Sequence, residues 1–473
     1  MPTDPRALRG DAPLLDAWLR FHEEAPTPFT IPGHKQRRDL VGDVVAGDVP
    51  LYAGLDTMKL AHGVLAEAEA RAARLWGADV CRFSVGGSTH GNQALALSVA
   101  RPGERVVVAR TLHRSMLLGL VLAGLEPVWV RPEVDAGHGL PLGVAPAALE
   151  AALAAAPDAR AVFVGDPSYV GTVGDVRGLA TVAHRHGIPL VVDAAWGAHL
   201  GFHPSLPPHA LAEGADALVT RAHKTLPAIS PGALVLARSR RISRPRFEAG
   251  VDATATTSPA GAILASIDAA RALLERDGEA LLGPMIEAVA AARARLARIP
   301  GLVVLDGPGV DPTRLVIVLP GTGADGNAVE ADLLAAGMPV EMADRDTVVA
   351  MLTLADTRDR VEDLATALAE SIDRLRGRAR PVTPSGVWAV DPVQVMTPRD
   401  AYFAARESVP TEDAVGRVSA ELVAPYPPGI PVLAPGEEVT VAAVEALHAA
   451  RAAGSRIAYA ADPLVHTLDV VTE

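Results

Sequence analysis

The sequence predicts an α/β protein built on a doubly wound, mainly parallel sheet, followed by a small α/β domain and a C-terminal domain. Three observations carry that prediction. Short β-rich runs at 105–109, 127–130, 161–164, 190–192, 217–220 and 233–237 are mostly separated by helical patterns. These runs are apolar nearly throughout rather than at every second residue, as strands covered on both faces require. A Gly-rich turn, Asp193 and Lys224 all fall after or beside such runs, where open α/β sheets bind ligands.

In chain order, residues 1–50 read as an N-terminal arm, with a short helix at 16–22 and then Ile31-Pro-Gly-His-Lys35. Residues 51–275 form the large domain. Its first helix, 63–76, sets Leu65, Ala68, Ala72, Leu75 and Trp76 opposite Glu67, Arg71 and Arg74. The turn Val85-Gly-Gly-Ser-Thr89 precedes a helix over 92–100. A helical pattern at 263–275 closes this domain, and 280–298 reads as a separate connecting helix. Residues 276–375 form the small domain, with β runs at 302–305, 315–319 and 348–354 and helices at 328–336 and 361–376. A basic, Pro-bearing linker at 376–384 leads to a C-terminal domain at 385–473.

Of 473 residues, 49% are hydrophobic and 21% charged, which excludes a mainly disordered chain. Lys and Arg total 43 against 56 Asp and Glu, a net charge of −13. Such an acidic field repels phosphate backbones, so nucleic acid is not an expected partner. The longest apolar run, Met116–Leu125, falls short of the ~20 residues that cross a bilayer. The polar start, Met1-Pro-Thr-Asp-Pro-Arg6, has no signal-peptide core, so the expected location is the cytoplasm. Cys81 is the single cysteine, which leaves no internal disulfide or cysteine metal cluster; no metal is expected. Only Lys35, Lys59 and Lys224 among the 43 basic residues are lysines. Arginine stays protonated, so a nucleophilic side-chain amine has three candidates.

Lys224 follows the run 217–220 within His223-Lys-Thr-Leu-Pro227. A lysine at a strand end inside a pocket loses solvation and suits Schiff-base chemistry, although an isolated one is more often a surface residue. Asp193 ends the run 190–192 and suits a buried cationic nitrogen such as a protonated pyridine ring; alone, it is more often a cap or turn acid. Ser84-Val-Gly-Gly-Ser-Thr89 leads into a helix at 90–92, with the glycines, hydroxyls and helix N-terminus of a phosphate cradle. Most strings of that kind are plain turns. His113, just after the run 105–109, suits stacking on a flat ring, and capping is its commoner use. A phosphate cradle, a ring stacker, an acid and an amine in this order point to pyridoxal 5'-phosphate (PLP).

These residues belong to a longer pattern: Pro32-Gly-His-Lys35, Gly54-Leu-Asp56, Gly86-Gly-Ser-Thr89, His113-Arg-Ser115, Asp166-Pro-Ser-Tyr169, Asp193-Ala-Ala-Trp196, His223–Pro227, Thr256-Thr-Ser-Pro259, Val340–Asp344, Gly416–Glu421 and Tyr426-Pro-Pro-Gly-Ile-Pro431. The pattern covers nearly the whole chain and resembles the bacterial ornithine/lysine/arginine decarboxylases, PLP-dependent enzymes of fold type I. The resemblance implies that Lys224 holds PLP and Asp193 pairs with its ring nitrogen. It implies that Ala195 packs on one ring face, His113 stacks on the other, and Trp196 sits by the phenolic oxygen. Gly87, Ser88, Thr89 and His223 would grip the phosphate. Thr256, Thr257 and Ser258 would approach the phosphate of a neighbouring subunit's cofactor, which implies a homodimer or larger homo-oligomer. Two positions depart from the family pattern: Arg221 stands where Ser is common, and Pro231 where Gln is common.

The activity implied is decarboxylation of a basic L-amino acid (arginine, lysine or ornithine) to agmatine or a diamine, the chemistry of polyamine biosynthesis. Lys224 or His223 would return the proton to Cα. Glu341 and Asp344 are candidate acids for the substrate head group, or equally a structural ion pair and a turn acid. The competing readings are an aminotransferase or lyase on the same fold, and a catalytically weak regulatory homologue.

Overall fold

Runs of Val, Leu and Ala fix where the strands form. The computed structural model describes residues 4–24, 29–49, 54–56, 62–135, 137–382, 390–426 and 430–472. Lys59, Pro427, Pro428 and Gly429 lie outside the described residues. In chain order the strands are β1 (Val80–Ser84), β2 (Arg105–Ala109), β3 (Glu126–Val130), the hairpin β4 (Glu133–Val134) and β5 (Pro141–Gly143), β6 (Val162–Gly165), β7 (Leu190–Asp193), β8 (Ala217–Thr220) and β9 (Ala233–Ala237). Each expected run is a strand. β1 was not expected, because Arg82 interrupts its apolar pattern. Arg82 is satisfied there by Glu69 at 3.0 Å and by Glu248, whose Oε2 lies 2.8 Å from Nε.

The chain divides into two compact units, one covering residues up to Val99 together with Val191–Leu282, the other Ala100–Leu190 together with Gly283 onward. In the first unit the strand order is β1-β9-β8-β7. β7 and β8 are parallel, with Asp193 opposite Val219, while β9 runs antiparallel to β8 and β1. The helix Gly87–Val99 packs against β8, β9 and the helix Arg244–Thr254. Gly91 permits that approach, since a Cβ there would stand 2.7 Å from Val219 Cγ1. Toward the N-terminus, the helix Pro13–Glu24 buries Leu15 with Leu8, Ala12 and Ala272, and Leu14 N–H donates to Asp268 at 2.8 Å.

In the second unit β6, β2 and β3 are neighbours in that order and run parallel. A separate antiparallel sheet follows, built from β10 (Val303–Val304), β11 (Arg314–Val318), β12 (Met342–Ala343) and β13 (Thr347–Met351), with helices Gly326–Ala335 and Arg358–Arg374. Toward the C-terminus, β14 (Arg406–Pro410) pairs with β17 (Thr467–Val471), and β15 (Ala424–Tyr426) with β16 (Arg456–Ala458). The apolar core there includes Val423, Leu433, Leu447 and Val470.

One expectation is corrected. The helical patterns at 263–275 and 280–298 are a single helix, Gly261–Leu296, with Pro284 inside it. A proline removes one backbone donor and crowds the preceding turn, but Leu282, Met285, Ile286 and Val289 are buried on either side and hold the helix together. Among the described residues no helix is long and apolar enough to cross a membrane.

Arg110, just after β2, makes a bidentate pair with Glu437 (2.5 and 2.8 Å), both side chains are buried, and its guanidinium lies 4.7 Å from the Trp129 ring centre. Removing one member of such a pair strands the other charge. Glu437→Gln is therefore expected to lower unfolding free energy by about 3–5 kcal/mol in chemical denaturation.

Candidate active site

The parallel pairing of β7 and β8 brings the chain out of both strands on the same edge. β7 ends in Asp193; β8 leads through Arg221 into the short helix Ala222–Thr225, which carries His223 and Lys224. Thr220 Oγ1 donates to the Ala194 carbonyl at 2.8 Å and ties the two exits together. Asp193 is only 6% exposed. Its Oδ2 accepts from Asn92 Nδ2 at 2.6 Å and its Oδ1 from Ala195 N–H at 3.1 Å. Both donors are neutral, and among the described residues no cation lies within ion-pair distance of this carboxylate.

Lys224 Nζ stands 3.0 Å from the centre of the Trp196 ring, a cation–π contact that holds the amine on one side of the site. His223 Nδ1 donates to the Gly232 carbonyl at 2.9 Å, which commits that proton and fixes the orientation of the ring. Burial, helped by the charges of Arg221 and Lys224, outweighs that carbonyl and pushes the His223 pKa below its ordinary value. Arg221 Nε donates to Ser88 Oγ at 2.6 Å. Burial lowers the Arg221 pKa, and the Asp193 charge opposes that change.

The Gly-rich turn is shaped from within. Gly87 has φ +66°, a left-handed conformation that favours glycine, and a Cβ there would meet Pro231 Cβ at 3.4 Å. His90 Nε2 donates to the Val251 carbonyl at 3.0 Å, so its Nδ1 accepts from the Ser84 hydroxyl at 2.8 Å. Burial pushes the His90 pKa down, which keeps that arrangement neutral.

Gly87, Ser88 and Thr89 occupy the first turn of the helix Gly87–Val99, which begins earlier than the expected 90–92. Ala195 and Trp196 follow Asp193 directly, with Ala195 buried. Asp193, Ala195, Trp196, Arg221, His223, Lys224 and the Gly-rich turn thus share the first unit. Thr256, Thr257 and Ser258 are exposed after the helix Arg244–Thr254 and make no hydrogen bond to that group. His113 belongs to the second unit, where it caps the helix Arg114–Ala123 and its Nδ1 accepts from Ser115 N–H at 3.2 Å.

Asp344 accepts from the Asp346 and Thr347 amides at 2.9 and 2.7 Å, the bonding of a turn acid, and burial raises its pKa. Glu341 accepts from the Tyr169 hydroxyl at 3.4 Å. Asn92 was missed in the sequence, although it lies one helical turn beyond Ser88 and is the polar residue that meets Asp193. Among the described residues no cluster of His, Cys, Asp or Glu is arranged to hold a metal.

Models of the Orn/Lys/Arg decarboxylase major domain and C-terminal domain match residues 12–307 and 384–457. The chain belongs to the Orn/Lys/Arg decarboxylase family. An arginine decarboxylase of Halalkalibacterium halodurans is 32% identical over 479 residues, covering 98% of each chain. The lysine decarboxylase LdcF of Francisella novicida superposes with a TM-score of 0.82 at 17% identity, over 98% of this chain and 81% of that one. A Sphingomonas wittichii serine palmitoyltransferase gives 0.54 at 16% identity over 65% and 76%, and a serine palmitoyltransferase solved with PLP gives 0.51. The protein is an amino-acid decarboxylase with the fold-type-I architecture.

In this decarboxylase the Asn92–Asp193 bond makes a direct prediction. Asn92→Leu keeps the side-chain volume and removes one of the two donors, which is expected to cost about 1–3 kcal/mol of stability by chemical denaturation. CO2 release by the folded variant is expected to fall at least about tenfold, because the carboxylate loses its fixed orientation.

Proposed function

We propose that this decarboxylase releases CO2 from a basic L-amino acid, arginine foremost, with PLP attached at Lys224. The observation that carries the cofactor reading is Asp193. Among the described residues it is a buried carboxylate held by neutral donors, one strand away from the exit that presents Lys224. A buried anion is unfavourable without a cationic partner, and a protonated ring nitrogen is such a partner. Arginine is favoured over lysine and ornithine because a relative named for arginine decarboxylation aligns across 98% of the chain.

PLP, when bound, supplies a protonated pyridine ring that takes up the electron pair left as the Cα–carboxylate bond breaks. The chain's own residues do the rest. Asp193, oriented by Asn92 and the Ala195 amide, keeps the proton on the ring nitrogen. Lys224 Nζ would supply the amine for attachment and would carry the proton returned to Cα. We assign that proton to Lys224 rather than His223, whose Nδ1–H is committed to the Gly232 carbonyl. Gly87, Ser88, Thr89 and His223 are the residues that would hold the phosphate, and Ala195, Trp196 and His113 those that would serve the ring. Thr256, Thr257 and Ser258 are exposed in one chain, as residues serving a neighbour's cofactor would be, so the reading includes a homodimer or larger homo-oligomer. The proposed domains are 51–275, 276–375 and 385–473, with the helix Gly261–Leu296 continuing from the first into the second, and the proposed location is the cytoplasm.

A panel of amino acids assayed for CO2 with PLP present tests this. Arginine is expected to give the highest kcat/KM, with citrulline and norleucine about thirtyfold or more below, since a site built for a cation loses its ion pair with neutral ligands. Lys224→Ala is expected to abolish CO2 release and the bound cofactor's visible absorbance while the fold is kept. A keto-acid product, or equal rates for norleucine and arginine, contradicts the assignment.

A further inference from the structure

We propose that Arg221 is the cation by which this site selects the 5'-phosphorylated cofactor over its unphosphorylated form. The inference rests on the PLP reading above. Arg221 lies between β8 and the helix that carries Lys224, with extended backbone at φ −99° and ψ 107°. Its side chain reaches back across the sequence to the Gly-rich turn, where Nε donates to Ser88 Oγ at 2.6 Å. Because the hydroxyl oxygen accepts that bond, the Ser88 proton stays available to an incoming anion, and the guanidinium polarises it.

The rest of the guanidinium is uncommitted. Among the described residues no carboxylate lies within ion-pair distance of Arg221, and neither terminal amino group has a hydrogen-bond acceptor. A half-buried guanidinium left in that state has its paired donors ready for a tetrahedral oxyanion, whose geometry the fork matches. Two further features face the same point. Ser88 and Thr89 stand in the first turn of the 13-residue helix Gly87–Val99, whose free amides favour an anion. A Cβ on Gly87 would lie 3.9 Å from Arg221 Nε and 3.5 Å from the Pro231 carbonyl, so Arg221 and Pro231 close around the same glycine. The two positions at which this chain departs from its family therefore meet at one turn. A serine there would offer one neutral donor, whereas Arg221 offers a charge.

The test is cofactor binding to the apo-protein, read by absorbance and fluorescence titration with PLP and with pyridoxal. Arg221→Ala is expected to raise the Kd for PLP about tenfold to a hundredfold, the range for a hydrogen bond to a charged group. The Kd for pyridoxal is expected to stay within about twofold, and Arg221→Lys to fall between. Thermal melts check the fold; if the alanine variant does not fold, Arg221→Gln is read by the same criteria. A PLP Kd unchanged in the variant, or equal weakening of PLP and pyridoxal, overturns the proposal. A wild-type protein that binds neither compound overturns the cofactor reading itself, and the proposal with it.

Discussion

A carboxylate at the end of β7 is taken out of water and given no counter-charge by the described residues. Asp193 is buried, and its two oxygens are met by an amide side chain and a backbone N–H. Neutral donors orient an anion but do not neutralise it, so the arrangement is complete only when a cation approaches. Arg221 is close enough to feel the Asp193 charge, yet it forms its bond with Ser88 instead. The site thus separates its charges, with an acid at one side and a guanidinium at the Gly-rich turn. A ligand that is cationic at one end and anionic at the other suits that separation.

The surrounding structure follows from holding Asp193 still. Asn92 reaches it from a helix that lies close to the sheet, and that closeness depends on Gly91, where any Cβ would collide with Val219. The helix starts at Gly87, whose backbone is left-handed, and its pitch sets Ser88 and Asn92 one turn apart on the same face. Thr220 locks the neighbouring strand exit to the Ala194 carbonyl, so Lys224 is positioned relative to Asp193 by backbone rather than by a flexible loop. Groups fixed in this way before substrate arrives need little rearrangement during reaction, the condition under which electrostatic stabilisation is most effective.

How much of this the sequence discloses depends on the range of the interaction. β8 and β9 are legible because their residues are apolar on both faces, and Asp193 and Lys224 are legible because they terminate such runs. β1 is not, since its Arg82 is acceptable only beside Glu69 and Glu248, and Glu248 is 166 residues away. The single helix Gly261–Leu296 reads as two because the polar stretch Arg276-Asp-Gly-Glu279 interrupts an apolar pattern that resumes, buried, at Leu282. Asn92 is not legible because the local pattern puts the helix start at 90–92 rather than at Gly87. The partner of Arg221 was hidden by the 133 residues that separate it from Ser88. Local pattern finds the strand ends; only the fold shows which side chains meet there.

The central claim, that Asp193 exists to keep a bound ring nitrogen protonated, is tested most directly by nitrogen NMR of PLP labelled with 15N at the pyridine position. The wild-type protein is expected to give the chemical shift of a protonated ring above neutral pH, and Asp193→Asn, which keeps the shape and removes the charge, that of an unprotonated one. The same unprotonated shift in both proteins would contradict the account.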